Sequence, residues 1–234
     1  MPAPLPGKPV SAKRIYAAAA AISGWFALGA QLGLALHSAP ATPAGVAHAI
    51  AGFLAFFTNL TNLLVAAAMT LWAWGRDETH MLTRPQGATA LAVYISIVSV
   101  VYAGILRELW EPTGLQLFVE ALMHYVLPPA CIIYWLAFVP KGHLRWVHAY
   151  AWLLYPVAYG AYVAARGAVT GHYPYPFLDV AALGYPRVLH NLVPLILLFL
   201  IVGFSFIALD QWLARRHPCG GTTPSAPSAP RKKT

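Results

Sequence analysis

Residues 88–106 read ATALAVYISIVSVVYAGIL and carry no charged side chain. A helix rises about 1.5 Å per residue, so a run of this length reaches across most of the roughly 30 Å hydrocarbon core of a bilayer. Backbone N–H and C=O groups cannot stay unpaired in lipid, and the run lacks the strict alternation of a barrel strand. The stretch therefore predicts a transmembrane α-helix.

Five further apolar runs of similar length occupy most of the remaining chain. They lie at 15–36, 49–73, 117–139, 147–165 and 188–213. With 59% hydrophobic residues, 9% charged residues and a mean hydropathy of +0.61, the composition excludes an ordinary soluble domain. We therefore expect an all-α polytopic bundle of six transmembrane helices over 15–213, with a short segment 1–14 before it and a disordered basic tail 214–234 after it.

The basic residues predict the orientation of this bundle, because Lys and Arg accumulate in cytoplasmic loops. One side of the predicted topology holds Lys8, Lys13, Arg14, Arg76, Arg84, Lys141, Arg145, Arg215, Arg216, Arg231, Lys232 and Lys233. The other side holds only Arg107, Arg166 and Arg187. Both termini are thus expected in the cytoplasm. This arrangement and anionic lipid headgroups account for the net charge of +8, so membrane lipids are the expected partners and nucleic acid is not needed.

Polar side chains inside the predicted spans are the candidates for function, because they are unfavourable in lipid. In the second span Thr58, Thr61 and Asn62 fall at i, i+3 and i+4, and therefore on one helix face. That face should point into the bundle. Interhelical hydrogen bonding is the plainer interpretation, and a functional site is the alternative.

A second candidate lies in the fourth span, where Glu120 precedes His124 by one helical turn and can orient or charge it. Pro128 has no N–H to bond the carbonyl of residue 124. We expect the helix to kink beside the histidine and to leave that carbonyl free for a polar partner. A kinked packing helix with a satisfied histidine is the competing interpretation.

The sixth span repeats the histidine-to-proline spacing at His190 and Pro194, after an outer loop 171–179 that contains Tyr175 and Asp179. The expected depth of each residue in the membrane relates this region to the second and fourth spans. At 1.5 Å per residue Thr58 lies about 14 Å from the outer end of its span, and His124 about 10 Å from the outer end of its own. Thr58 and His124 are therefore expected to meet in the outward half of the bundle, below His190 and the loop.

A hydroxyl beside an imidazole is the minimal pair of nucleophile and general base. The pair is generic, so the residue types alone also fit a pocket without chemistry. A transporter or lipid-binding protein is one alternative. A haem protein, with ligands among His48, His124, His148 and His190, is disfavoured because His148 falls at the opposite end of the bundle. We expect no cofactor, and no ligand spacing indicates a metal.

Three short motifs carry a resemblance to a known family. They are Phe-Thr at 57–58 with Asn-Leu-Leu at 62–64, Met-His-Tyr-Val-Leu-Pro at 123–128, and Tyr-Pro-Tyr-Pro-Phe-Leu-Asp at 173–179. Together they resemble the androgen-induced and androgen-dependent transmembrane protein family, in its bacterial six-pass branch. The resemblance covers nearly the whole chain and implies a bacterial inner membrane.

Animal members of that family are threonine hydrolases that cleave fatty acid esters of hydroxy fatty acids. The resemblance implies that Thr58 is the nucleophile and His124 the general base. Among the remaining residues we assign supporting or substrate-binding roles. Asn59, Asn62 or Tyr175 would donate to the oxyanion, Glu120 would orient His124, Asp179 would fix the outer cap, and His190 would lie above the pair. Oligomeric state is left open.

Overall fold

The computed structural model describes residues 11–109 and 111–216, and every regular element within them is helical. The α-helices, numbered in chain order, are α1 Ala12–His37, α2 Pro43–Ala55, α3 Phe57–Ala73, α4 Pro85–Val101, α5 Gly114–Ala121, α6 Leu127–Phe138, α7 Val147–Ala151, α8 Leu154–Thr170 and α9 Val180–Arg216. Two π-helical turns at Tyr102–Leu106 and Leu122–Val126 extend α4 and join α5 to α6. The predicted all-α class is confirmed. Residues 1–10 of the predicted N-terminal segment and 217–234 of the predicted tail lie outside the described part, whereas 214–216, predicted as disordered, belong to α9.

Membrane-spanning length is reached by fewer segments than the six predicted. Four helical segments are long and apolar enough to cross, namely Ala12–His37, Pro85–Leu106, Gly114–Phe138 and Val180–Arg216. The pair α2 and α3 makes a fifth if the two count as one broken span. These are the apolar helices of an integral membrane protein. The predicted fifth span, 147–165, does not reach the required length.

The predicted second span, 49–73, is not one continuous helix. The chain bends by 78° between α2 and α3, and Phe56 at the corner has an extended backbone with φ −85° and ψ 127°. Side chains replace the hydrogen bonds lost at the break: Asn59 Nδ2 donates to the carbonyl of Phe53 at 2.8 Å, and the Tyr159 hydroxyl donates to that of Ala55 at 2.7 Å. The carbonyls of Phe53 and Ala55 therefore have partners although the helix breaks there.

Proline also shapes the segments around α6 and α8. Pro128 and Pro156 cannot bond the carbonyls four residues earlier, at His124 and Trp152. Both carbonyls accept from hydroxyls of α4 instead: Ser99 Oγ donates to His124 at 2.7 Å, and the Tyr94 hydroxyl donates to Trp152 at 2.8 Å. The prediction that Pro128 leaves the carbonyl of His124 for a polar partner is confirmed. At Pro156 the helix breaks outright into α7 and α8.

The last helix begins earlier than the predicted 188, at Val180, and has a break at Gly184, whose φ of +73° suits glycine. Asp179 Oδ1 accepts from the backbone N–H of Ala182 at 3.0 Å. This bond satisfies an N–H in the first turn of α9. Asp179 therefore joins the end of the outer loop to the start of α9.

We call the half of the bundle in which α1 begins and α9 ends the basal half, and the opposite half the distal half. Aromatic side chains fill the basal half, with ring centroids 4.3 Å apart for Trp72 and Tyr134 and 4.9 Å apart for Trp135 and Phe206. Buried Asp210 accepts from two backbone N–H groups in the loop after α6. The basal half is thus a close-packed frame that holds the helices in register.

Candidate active site

Three departures from regular α-helix meet in the distal half, and each contributes one side chain. Thr58 is the second residue of α3, directly after the break at Phe56. Tyr102 is the first residue of the π-helical turn that ends α4, and His124 is the middle residue of the turn before α6. π-Helical turns are rare and are found frequently at functional sites. Their convergence marks this region as the candidate site.

Thr58, His124 and Glu120 form a chain of polar contacts. Thr58 Oγ1 lies 3.5 Å from His124 Nε2, and His124 Nδ1 lies 3.0 Å from Glu120 Oε2. Nδ1 is also 3.0 Å from the backbone carbonyl of Glu120. Both neighbours of Nδ1 are acceptors, so this nitrogen carries the proton of the neutral ring and Nε2 is left as an acceptor. The tautomer therefore directs a basic nitrogen at the threonine hydroxyl.

The imidazole ring of His124 is held from its face as well as its edge. Tyr102 stacks on it with ring centroids 3.7 Å apart and an angle of 14° between the planes. His124 is also only 5% exposed. A ring fixed by a stacked neighbour and a carboxylate cannot easily turn Nε2 away from Thr58, so the pair is preorganised.

The three predicted oxyanion donors are used differently. Asn59 and Asn62 each donate an amide N–H to the backbone. Asn59 Nδ2 donates to the carbonyl of Phe53, and Asn62 Nδ2 donates to the carbonyl of Thr58 at 2.9 Å. Both residues stabilise the break and the turn after it. Tyr175 is different, because its hydroxyl accepts from the backbone N–H of Thr58 at 3.4 Å and so lies beside that residue. Burial raises the pKa of Tyr175, which keeps its proton available for donation.

The first turn of α3 adds backbone donors at the same place. N–H groups in the first turn of a helix have no partner within the helix, and the helix dipole makes this end favourable for negative charge. Thr58 belongs to that turn. A developing oxyanion on an acyl carbon attacked by Thr58 would find the Tyr175 hydroxyl nearby, and would receive the Thr58 N–H once that group exchanges its bond to Tyr175 for one to the oxyanion.

Two cavities of similar size meet at Thr58. We call the first the polar chamber; it has a volume of about 430 Å³. Its polar lining includes Gln31, Thr58, Asn59, Gln116, Glu120 and His124. The second, the apolar cavity, has a volume of about 410 Å³ and is lined by aliphatic and aromatic side chains of α4, α8 and α9. Thr58, Leu106 and Tyr175 line both, so the hydroxyl stands at the boundary between a polar and an apolar compartment.

The structure thus brings together Thr58, His124, Glu120 and Tyr175 from the predicted set. It does not bring His190 to them: that side chain is exposed on α9 and lines neither cavity. Asn62 and Asp179 have the structural roles given above.

Three residues of the site escaped the sequence interpretation, namely Gln31, Tyr102 and Gln116. One signal was available, because Gln116 precedes Glu120 by four residues and therefore shares its helix face. The other two reach the site from α1 and α4, through contacts that no local pattern records.

Comparison of the chain with protein-family models, with curated proteins and with solved structures finds no match. The site must therefore be interpreted from its own geometry. Within residues 11–109 and 111–216, no three His, Cys, Asp or Glu side chains are grouped in a way that could hold a metal ion. The chemistry that the described residues offer is a hydroxyl, an imidazole and a carboxylate in sequence.

Proposed function

We propose that this protein is an intramembrane threonine hydrolase of lipid esters, with Thr58 as nucleophile and His124 as general base. The observation that carries the proposal is the position of the Thr58, His124 and Glu120 chain at the boundary of the two cavities. An ester of a fatty acid has an acyl chain on one side of its carbonyl and an alcohol on the other. The apolar cavity suits the acyl chain and the polar chamber suits the alcohol.

The reaction follows from the tautomer. The Thr58 hydroxyl donates to His124 Nε2, and its oxygen attacks the ester carbonyl as the proton passes to the imidazole. The resulting imidazolium is stabilised by Glu120, and the oxyanion by the Thr58 N–H and Tyr175. The C–O bond to the alcohol breaks, and the alcohol leaves with the proton from Nε2. Water then attacks the acyl-threonine ester, gives a proton to His124, and releases the fatty acid as Thr58 recovers its hydroxyl proton.

The membrane setting completes the proposal. The chain would cross the bilayer six times, with α7 and α8 together as the fifth crossing and α2 and α3 as the broken second one. Both termini would lie in the cytoplasm, which places the distal half and its site on the outward side of a bacterial inner membrane. Lipid esters would be the substrates and would enter sideways from the lipid.

The decisive experiment measures hydrolysis of a lipid-ester panel by purified wild type, Thr58→Ala and His124→Ala. We expect each substitution to reduce kcat by at least about 10³-fold, because nucleophile and base act as a unit. Thr70→Ala and His190→Ala are matched controls, since Thr70 is on the same helix and bonds only Trp25 and the carbonyl of Ala66. A lipid fluorophosphonate should label wild type at Thr58 and leave Thr58→Ala unlabelled.

A lipid-binding or transport protein is the second candidate. A helix broken inside the bundle, with its free N-terminal N–H groups at a cavity, is also how transporters bind substrates. That function predicts lipid binding and flux that Thr58→Ala leaves unchanged, with no turnover in any variant. Full hydrolysis by a folded Thr58→Ala protein would exclude the threonine mechanism.

A further inference from the structure

The charge of the polar chamber restricts the alcohol that it can accept. Among the described residues that line it, Glu120 is the one carboxylate, and none is Lys or Arg. A carboxylate or phosphate placed there would face Glu120, while His124, the lining side chain that can carry a positive charge, is already paired with that carboxylate and Arg107 is exposed outside the lining. Like charges in a low-dielectric pocket are strongly unfavourable, so the chamber rejects anionic groups.

The hydrogen-bond pattern of the two glutamines shows what the chamber accepts instead. Gln116 Nε2 donates to Glu120 Oε1 and to Gln31 Oε1, both at 2.9 Å. These two bonds leave Gln31 Nε2 and Gln116 Oε1 unused, one a donor and the other an acceptor. An alcohol hydroxyl both donates and accepts, and therefore matches this pair. A carboxylate only accepts, and would leave Gln116 Oε1 facing another acceptor.

The neighbouring apolar cavity determines which acyl part of the substrate can bind. Its wall includes Val98, Val101, Val157, Leu192 and Phe199, and the small residues Gly160 and Ala164 leave room on the α8 side. Such a lining suits one aliphatic chain. Thr58, at the boundary, would meet the ester carbonyl between the two arms.

We propose that the substrate class is the ester of a single fatty acyl chain with a neutral alcohol that keeps free hydroxyls, such as a monoacylglycerol. This inference rests on the proposed hydrolase function and narrows it. The free hydroxyls bind Gln31 and Gln116 while the acyl chain fills the apolar cavity. Esters whose alcohol carries a carboxylate or phosphate bind poorly, and this includes esters of hydroxy fatty acids.

Binding can be measured without turnover. Thr58→Ala protein in neutral nanodiscs is titrated with 1-O-hexadecylglycerol, hexadecyl phosphate and hexadecyloxyacetic acid, none of which has an ester to cleave. We expect the glycerol ether to bind at least tenfold more tightly than either anion. Equal or tighter binding of an anion overturns the inference, whether or not the protein is a hydrolase.

Turnover separates this inference from the proposed function. Wild type is given 1-monopalmitoylglycerol, 1-palmitoyl-lysophosphatidic acid and the palmitoyl ester of 12-hydroxystearic acid. A kcat/KM at least tenfold higher for the monoacylglycerol supports the substrate class. Faster hydrolysis of an anionic ester overturns the class and leaves the hydrolase standing. Hydrolysis of none overturns the hydrolase, and the ether titration then decides the ligand class alone.

A charge substitution tests the assigned residues. Gln31→Lys places a cation in the chamber, so we expect the ratio of kcat/KM for the lysophosphatidic acid to that for the monoacylglycerol to rise about tenfold or more. Gln31→Met has a similar length and no charge, and should lower monoacylglycerol turnover while raising the ratio by less than Gln31→Lys does. An unchanged ratio in folded Gln31→Lys protein would remove Gln31 from the alcohol site and overturn the assignment.

Discussion

The basal and distal halves of the bundle differ in the regularity of their helices and in how the space between the helices is filled. In the basal half, α1, α3, α4 and α6 keep α-helical geometry, and side chains such as Trp135 and Tyr134 fill the space between them to 1% and 0% exposure. In the distal half, three helices leave the α geometry, and their freed groups bond to side chains. Cavities and polar residues occur where the backbone is irregular. The comparison teaches that the cluster of Thr58, Tyr102 and His124 is built from helix breaks that a regular frame supports.

The largest effect on activity is expected from Glu120→Gln in the distal half. The new amide carries no charge to stabilise the imidazolium, and its N–H groups compete at His124 Nδ1 with the carbonyl of Glu120, which favours the proton there. We expect kcat to fall about 10²- to 10³-fold with little change in thermal stability. Steady-state kinetics and a melting curve in detergent measure both. Glu111→Gln, at an exposed carboxylate outside the polar chamber, is the control and should behave as wild type.

The opposite pattern is expected for Trp135→Ala in the basal half. This substitution removes a buried ring that packs on Phe206 and donates to Thr89 Oγ1 at 2.7 Å. We expect a loss of about 3–5 kcal/mol in unfolding free energy, with kcat per folded molecule nearly unchanged. Chemical denaturation in mixed micelles measures the unfolding free energy. Trp74→Ala, at a ring 69% exposed, should cost less than about 1 kcal/mol. Equal effects of the two substitutions would mean that the basal half is not a close-packed frame.

A smaller effect is expected where the frame supports the site. Ser99→Ala leaves the carbonyl of His124 without its hydroxyl partner, so we expect a loss of about 1–3 kcal/mol together with reduced activity. Ser96→Ala is the matched control on the same helix, because the Ser96 hydroxyl bonds only the carbonyl of Ala92 one turn earlier. If Ser96→Ala proves as damaging as Ser99→Ala, the support of the site by α4 is disproved.

The smallest effect concerns the stacked ring. Tyr102→Leu removes the aromatic face on His124, and we expect kcat to fall about tenfold because aromatic pairs contribute roughly 0.5–1.5 kcal/mol. Tyr102→Phe keeps the ring and should restore most of the rate. Tyr125→Leu alters an exposed ring beside Tyr102 and serves as the control. A Phe variant as slow as the Leu variant would assign the effect to the hydroxyl and not to stacking.

Local chemistry decided which parts of this molecule could be predicted from sequence. The pairing of Thr58 with His124 followed from depth along two helices, and the free carbonyl of His124 followed from Pro128. Pro156 offered the same signal for the break between α7 and α8, and that signal was overlooked. The bend at Phe56 had no such marker, since the groups that satisfy it come partly from α8. Gln31 and Tyr102 likewise join the site through tertiary contacts alone.

The bend between α2 and α3 also has a consequence for the order of events at the ribosome. Asn59 reaches its carbonyl across six positions of chain, whereas Tyr159 lies 104 positions beyond Ala55, and Tyr175 lies 117 beyond Thr58. While the first half of the nascent chain enters the bilayer, the carbonyl of Ala55 has no tyrosine to bond. We therefore expect Asn59 to support the corner first, and the corner to be completed when α8 brings Tyr159 to the carbonyl of Ala55.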